Sequence, residues 1–284
     1  MISTGDPEAY CKEITMCEFC TKHGDGQIWY KNAKNFSGDL VSDLKRRGYI
    51  ERFVKETIQD GFVQLGRLET LVRKRGDLPE RVRTAMEKNA RQEHFGQVLP
   101  MEEIRDLVMK ADTVVRMPCA CRWAMGKGEV RACYGISIGP DQWYRHIDMS
   151  SFGPLPDEGL EPVDREEAVH QMEHLEEQGA VHTIWTMMTP FIGAICNCTL
   201  ADCLAMRTLS GIKVETMARA EFVAAVDEEK CTGCGQCEAT CQFQAISDKE
   251  ISGNHYAVIN THACYGCGLC RNSCPVEALT LARR

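Results

Sequence analysis

The chain has 284 residues, of which 44% are hydrophobic and 26% are charged, and this composition is typical of a globular protein with a sizeable core. The net charge of -8 argues against nucleic-acid binding, which requires a basic surface. The 17 cysteines are grouped in short motifs, a pattern that indicates metal ligation and not a disulfide framework.

The first residues carry no export signal. Residues 1–8 lack the basic and apolar stretches of a signal peptide, and no segment reaches the roughly 18 apolar residues that span a bilayer. We therefore expect a cytoplasmic protein without direct membrane insertion. In that reducing compartment its thiolates remain free to bind metal.

A first cysteine group lies near the N-terminus. Cys11, Cys17, Cys20 and His23 offer four metal-binding side chains. They predict either a zinc site or part of a cluster site, and reduced thiols without metal are the alternative. Thr21 follows Cys20 where a c-type haem attachment would need His, so this motif is not a c-type haem attachment.

Residues 1–113 are predicted to be a mainly helical region. Apolar residues recur at helical spacing over 38–59, with a break near Gly48, and again from Phe62 to Val72. Pro79 is placed to open a further helix. We interpret these apolar stripes as surfaces that face the core.

Residues 114–220 are predicted to form a cysteine-rich α/β region. A helix is expected just before this region, over 101–111, and the region itself should contain a helix over 165–178 and a strand over Val181–Trp185. Each helix is followed by an apolar run and a Cys-x-Cys pair. This repeated order of features indicates either an internal duplication or a chance similarity.

The cysteines of this region predict a third [4Fe-4S] cluster. Residues i and i+2 of a strand face the same side, so each Cys-x-Cys pair can present both thiols to one site. Four of the six cysteines would suffice for the cluster. The predicted ligands are Cys133, Cys196, Cys198 and Cys203, and the six cysteines also include Cys119 and Cys121. The alternative is that they are small residues of an apolar core.

Two further features of the middle region bear on function. Residues 141–178 are acidic, which indicates a solvated surface or a docking patch for a basic redox partner. Several histidines are available as acid–base groups, and His170 and His174, four residues apart on a predicted helix, are candidates for binding one metal. The histidines concerned are His146, His170, His174 and His182.

The C-terminal region, residues 221–284, carries the strongest motif. The spacing C-x2-C-x2-C-x3-C occurs from Cys231 to Cys241 and again, 33 residues later, from Cys264 to Cys274. A loop with a cysteine at every third position wraps thiolates around a [4Fe-4S] cube, and intervening glycines let backbone N–H groups turn toward sulfur. Structural zinc sites use paired Cys-x2-Cys knuckles instead. We expect the fourth cysteine of each run to begin a short helix.

These runs resemble the bacterial-type dicluster ferredoxins, over about the last 60 residues. The resemblance implies two [4Fe-4S] clusters, each of which takes its fourth ligand from the other run. The implied ligands are Cys231, Cys234, Cys237 and Cys274 for one cluster, and Cys264, Cys267, Cys270 and Cys241 for the other. Gln242 departs from the family, which usually has Pro there, as at Pro275. Taken together with this C-terminal region, the Pro-Cys-Ala-Cys-Arg segment at 118–122 and the Ile-Cys-Asn-Cys segment at 195–198 resemble those of cysteine-rich iron–sulfur proteins of anaerobes.

The predicted fold is α+β: a helical N-terminal region, a cysteine-rich α/β middle region and a ferredoxin-like βαββαβ domain. No dinucleotide-binding or Walker A motif is present in the sequence. We expect an electron-transfer protein that serves as a ferredoxin-like subunit or partner of a larger oxidoreductase complex. The alternatives are a self-contained redox enzyme with a substrate or cofactor pocket in the middle region, and a redox sensor.

Overall fold

The computed structural model describes residues 28–128, 130–139, 142–147, 160–251 and 254–284. It shows a mixed α/β protein, in which a seven-stranded sheet precedes two two-stranded sheets. Among the described residues, no helix combines the length and apolar character needed to cross a membrane.

Helices dominate the first described segment. Short 3-10 turns are followed by helix α1 (Leu44–Arg52), a π-helical turn (Phe53–Thr57), α2 (Ile58–Arg75) and α3 (Glu80–Glu93). The predicted break near Gly48 is wrong, because α1 runs through this glycine. The helix begins instead after Asp43, whose side chain caps it by accepting a hydrogen bond of 3.0 Å from the Arg46 N–H.

The large sheet lies in the middle of the chain. Its elements are β1 (Gly96–Val98), α4 (Met101–Lys110), β2 (Thr113–Pro118), α5 (Ala120–Ala124), β3 (Arg131–Ser137), β4 (Glu161–Val163), α6 (Arg165–Glu177), β5 (Val181–Thr186), β6 (Ile192–Cys198), α7 (Leu204–Ile212) and β7 (Met217–Ala218). The strand order is β4-β2-β3-β6-β5-β1-β7, and only β1 and β7 pair in parallel. The two predicted helices and the predicted strand of this region are confirmed. Strand β1 joins the sheet from residues predicted as mainly helical.

The two faces of the sheet carry different layers. Successive side chains of a strand point to opposite faces, so Ile195 of β6 packs with Ile104 of α4 and Met172 of α6 in one apolar cluster. Cys196, its neighbour in the strand, packs on the other face. The sheet therefore separates a helical layer from a cysteine-bearing layer.

The last segment has a β-α-β order twice. Its elements are β8 (Phe222–Val226), α8 (Gln236–Thr240), β9 (Ile246–Ile251), β10 (Asn254–Ile259), α9 (Leu269–Asn272) and β11 (Leu279–Arg283). Strand β11 pairs antiparallel with β8 and β10 pairs antiparallel with β9. The first and last strands of the segment are therefore neighbours.

Candidate metal centres

The C-terminal cysteines line two small cavities, each of about 20 Å3. The thiols around the first are those of Cys231, Cys234, Cys237 and Cys274. The thiols around the second are those of Cys241, Cys264, Cys267 and Cys270. Each cavity thus receives three cysteines from one run and the fourth from the other run, which is the grouping that the resemblance implies.

Backbone N–H groups point at the sulfurs in matching pairs. Ala257 and Ala224 each donate across 3.5 Å, to the Sγ atoms of Cys231 and Cys264 respectively. Ala245 donates to Cys241 across 3.3 Å, and Ala278 donates to Cys274 across 3.2 Å. Such hydrogen bonds favour the thiolate form and tune a bound cluster, so both cavities fit a [4Fe-4S] group.

Two glycines allow these loops to close on neighbouring strands. Gly233 and Gly266 have φ values of +66° and +69°. A Cβ atom at Gly233 would lie 2.5 Å from the carbonyl oxygen of His255, and one at Gly266 would overlap that of Phe222. Only glycine meets both demands, the left-handed backbone and the close approach.

The fourth cysteine of each run follows a short helix. Cys241 follows α8, and its N–H donates 3.2 Å bonds to the carbonyl groups of Cys237 and Glu238. Cys274 follows α9. The expectation that these cysteines begin helices is therefore wrong: the third cysteine of each run lies in the helix, and the fourth follows the helical turn.

The two loops differ in their surroundings. Cys234 of the first loop is exposed and its counterpart Cys267 is partly buried, whereas Cys237 and Cys270, the third cysteines of the two runs, are both buried. Burial raises the pKa of Cys267 and raises that of Cys270 to about 12. The second cavity therefore faces protein, and the first lies at the surface.

Gln242 joins the C-terminal segment to the large-sheet region. Its side-chain oxygen accepts a hydrogen bond from the Leu200 N–H, and its side-chain nitrogen donates to the Gly179 carbonyl. Proline, the residue usual in the family, has no side-chain amide and could not form either bond. The glutamine that replaces the usual proline therefore connects the C-terminal segment to the large-sheet region next to Cys241.

A second contact lies on helix α9. Arg271 forms a 2.6 Å ion pair with Glu102 of α4, and Asn272 donates a 2.8 Å hydrogen bond to Glu176 of α6. The second cysteine run is thereby attached to the helical layer of the sheet.

All six cysteines of the middle region surround one cavity of about 190 Å3. Cys133 and Cys196 are directly opposite each other on β3 and β6, and Cys198 follows on the same face of β6. Cys203 immediately precedes α7. The four predicted ligands are therefore brought together.

Cys119 and Cys121 join the same group by a different route. Cys119 is the N-cap of α5, and Cys121 lies inside that helix. The prediction that both thiols of a Cys-x-Cys pair lie on one face of a strand is thus wrong for this pair. It holds only for Cys196 and Cys198. The first Cys-x-Cys pair, at the start of a helix, and the second, in a strand, do not share a local structure.

The six thiols form a closed ring of contacts. Going around it, the order is Cys119, Cys121, Cys203, Cys198, Cys196 and Cys133, which returns to Cys119. Hydrogen bonds from the Cys121 and Cys133 thiols lower the pKa of Cys119. The hydrogen bond with Cys119 raises the pKa of Cys133. Because these thiols lie next to one another in the interior, all six can be deprotonated together only if a cation compensates their charge.

A buried guanidinium borders the ring. Arg122 is 8% exposed, and its Nε donates a 2.9 Å hydrogen bond to Asp202. Lys127 also pairs with Asp202, and Thr199 donates to this carboxylate across 3.0 Å. The negative charges of Asp202, Cys119 and Cys198 all favour the protonated guanidinium, so the pKa of Arg122 is raised despite its burial. The chain thus supplies positive charge beside the thiols.

The rest of the 190 Å3 cavity is apolar and includes one histidine. Phe53, Ile58 and Trp185 line it together with His94. The Nδ1 of His94 lies 2.7 Å from the Thr186 carbonyl, to which it donates, and burial lowers the pKa of this ring to about 4. His94 was not predicted from the sequence, because nothing local distinguishes a histidine placed just before a short strand.

The histidines proposed from the sequence are placed elsewhere. His170 and His174 are exposed on α6, and His174 contacts Glu177 and Gln178. His182 is buried, with its Nδ1 2.5 Å from the Asn197 side chain. None of these three, nor His146, lines the six-cysteine cavity.

Some predicted sites lie wholly or partly outside the described residues. The N-terminal group of Cys11, Cys17, Cys20 and His23 is wholly outside. The acidic stretch is described only in part. Within it, Glu161 forms a 2.7 Å ion pair with Arg116 and a 3.7 Å pair with Arg131, so this carboxylate is neutralised within the sheet.

Comparison with known proteins bears on the last segment. Residues 224–281 match the family model of the 4Fe-4S dicluster domain. A search of curated proteins finds no match to the chain. The match covers both cysteine runs and the strands that hold them, and therefore this 284-residue chain carries a 4Fe-4S dicluster domain at its C-terminal end.

Proposed function

We propose that this protein is an iron–sulfur electron-transfer protein that exchanges electrons with a partner at the first cluster site and with its own middle region at the second. When bound, each cluster accepts and releases one electron at a time. The observation that carries the proposal is the difference between the two loops: Cys234 is exposed, whereas the second loop is packed against the large-sheet region.

The second loop reaches the six-cysteine cavity through continuous packing. Tyr265 and Leu269, on either side of Cys267, are 6% and 3% exposed. They belong to the same apolar cluster as Cys198 and Cys203 of the cavity. This dry contact excludes water between the second cluster site and the cysteine ring, which favours exchange inside the protein.

The first site has the features of a docking edge. Glu238 and Asp248 are exposed and line its cavity, and Glu228 and Glu229 are exposed shortly before Cys231. Exposed carboxylates around a redox site attract a basic partner and speed its approach. The proposed partner is therefore a basic redox protein or a basic surface of a larger oxidoreductase complex.

The proposal is tested with a matched pair of variants, Cys234→Ser and Cys267→Ser, which occupy the same position in the two loops. The anaerobic, dithionite-reduced full chain is mixed with oxidised cytochrome c, a basic one-electron acceptor. Because the partner meets the first site, we expect Cys234→Ser to slow cytochrome reduction at least about tenfold and Cys267→Ser less than about threefold.

Iron counts and electron paramagnetic resonance spectra of both variants identify the site that each one retains. Equal slowing by the two substitutions, or a larger effect of Cys267→Ser, would contradict the proposal that the partner exchanges electrons at the first cluster site.

A redox enzyme is the second candidate function, and the apolar end of the six-cysteine cavity favours it. Six of the residues that line this end, Phe53 and His94 among them, also line a groove of about 840 Å3 between α2, α3 and α7. A small molecule could reach the thiols along this route. The enzyme hypothesis requires turnover of a small molecule by the purified chain without any partner protein, and an electron carrier shows none.

A further inference from the structure

Six thiols are more than the four that a cubane needs, and all six line one cavity. Each four-cysteine cavity of the dicluster domain has a volume of about 20 Å3, whereas the six-cysteine cavity has about 190 Å3. By the same measure, a single water needs roughly 10–15 Å3. Because part of this volume is the apolar end beside Phe53, Ile58 and Trp185, the number of thiols, and not the volume, distinguishes this site from a cubane site.

A mononuclear site is also unsupported by the arrangement of the ligands. Over the parts of the chain that the structure describes, no three His, Cys, Asp or Glu side chains converge closely enough to hold one metal ion. The six thiols instead form a ring along one part of the cavity, which is a ligand set suited to several bridged metal ions.

Paired strands hold the ring, and positively charged side chains lie beside it. Cys133, Cys196 and Cys198 are placed by paired strands of the sheet centre. Asn197, between two of the cysteines, is fully buried and donates a 2.8 Å hydrogen bond to the Ala132 carbonyl. Arg122 and Lys127 share Asp202 at the border of the site, so cationic groups are available to offset thiolate charge.

We propose that all six cysteines of the ring together ligate one polynuclear iron–sulfur cluster that contains more than four iron atoms. The ligands are Cys119, Cys121, Cys133, Cys196, Cys198 and Cys203. The cluster differs from the four-thiolate [4Fe-4S] group expected from the sequence, because Cys119 and Cys121 are ligands and not bystanders. Its presence does not depend on the proposed direction of electron transfer.

The test is an iron and acid-labile sulfide count on the anaerobic full chain, reconstituted with iron and sulfide. The parent for this test carries Cys11→Ser, Cys17→Ser and Cys20→Ser, so that the N-terminal cysteines add no iron. Two [4Fe-4S] clusters account for eight irons, and we expect a total above twelve per chain.

Cys119→Ser and Cys121→Ser are the deciding variants, because a four-cysteine cubane on the remaining thiols would not need these residues. We expect each variant to lose more than four irons and to retain about eight. The Mössbauer signals beyond those of the two [4Fe-4S] clusters should be lost or altered. Twelve or fewer irons in the parent would overturn the proposal. Unchanged counts and spectra in both variants would also overturn it. Neither readout measures electron transfer, so this result and that of the cytochrome experiment are independent.

Discussion

The two cysteine runs of the dicluster domain have the same spacing and each contains a short helix, yet the first is largely exposed and the second packs against the large-sheet region. The residues between the cysteines explain the difference. Thr232 and Gln236 of the first loop are exposed, whereas Tyr265 and Leu269 at the same positions of the second loop are buried. Tyr265 stacks on Phe243 at 4.3 Å between ring centres.

The comparison shows that the ligand spacing and the docking of a cluster loop are separate properties. Cysteines and glycines set the local wrapping in both loops, whereas the apolar residues of the second loop attach it to the large-sheet region. One cluster site is thereby assigned to the surface and the other to the interior without any change in the ligands.

The largest expected effect comes from the first position of the two short helices. Leu269→Ala removes a side chain that packs with Tyr265 and Met206, and we expect it to lower the free energy of unfolding by about 2–4 kcal/mol. The matched variant Gln236→Ala, at an exposed position, should change it by no more than about 0.5 kcal/mol. Denaturant unfolding of the anaerobic, cluster-loaded chain measures both values. Equal effects would show that the second loop is not held by this packing.

A smaller effect is expected at the residues that follow the fourth cysteines. Gln242→Leu leaves the Leu200 N–H and the Gly179 carbonyl without their partner, which should cost about 1–3 kcal/mol of stability. Hydrogen exchange at the Leu200 amide should become faster in the same variant. Pro275 is the exposed equivalent of Gln242 in the second run, and Pro275→Ala should leave that amide unaffected. Unchanged exchange at Leu200 in Gln242→Leu would argue against the connection through Gln242.

The smallest effect is expected at the rim of the first site. Glu238→Gln removes one exposed charge beside Cys234, and the rate of cytochrome c reduction at low salt should fall roughly two- to threefold. The difference from the unmodified chain should vanish at high salt, because ions screen surface charge. Glu166→Gln, at an exposed position on α6, serves as the control and should not change the rate. A salt-independent difference would mean that Glu238 acts other than by attracting the partner.

Much of the fold was predictable where the pattern is local. The helices over Met101–Lys110 and Arg165–Glu177 and the strand Val181–Thr186 follow directly from hydrophobic periodicity. The break assigned to Gly48 was wrong, because neighbouring turns of a helix tolerate one glycine at a cost of about 1 kcal/mol, and the cap at Asp43 decides where this helix begins.

The middle site was predictable only in part. Residues i and i+2 of any strand point to the same face, so the shared face of Cys196 and Cys198 was expected. The inclusion of Cys119 and Cys121 depends on the position of α5 next to the sheet, and that of His94 depends on its stacking against Trp185 at 4.6 Å. Contacts between residues so distant in sequence leave no periodic signal.

The sequence by itself determined the chemistry of the C-terminal domain, because the spacing of cysteines and glycines along a short loop is enough to specify how thiolates wrap a cube. Tertiary structure alone decided which loop faces solvent and how the six middle cysteines close into a ring. Strand register places Cys133 opposite Cys196, and helix packing adds the remaining thiols. These arrangements result from burial of apolar surface across the whole chain, which no single segment encodes.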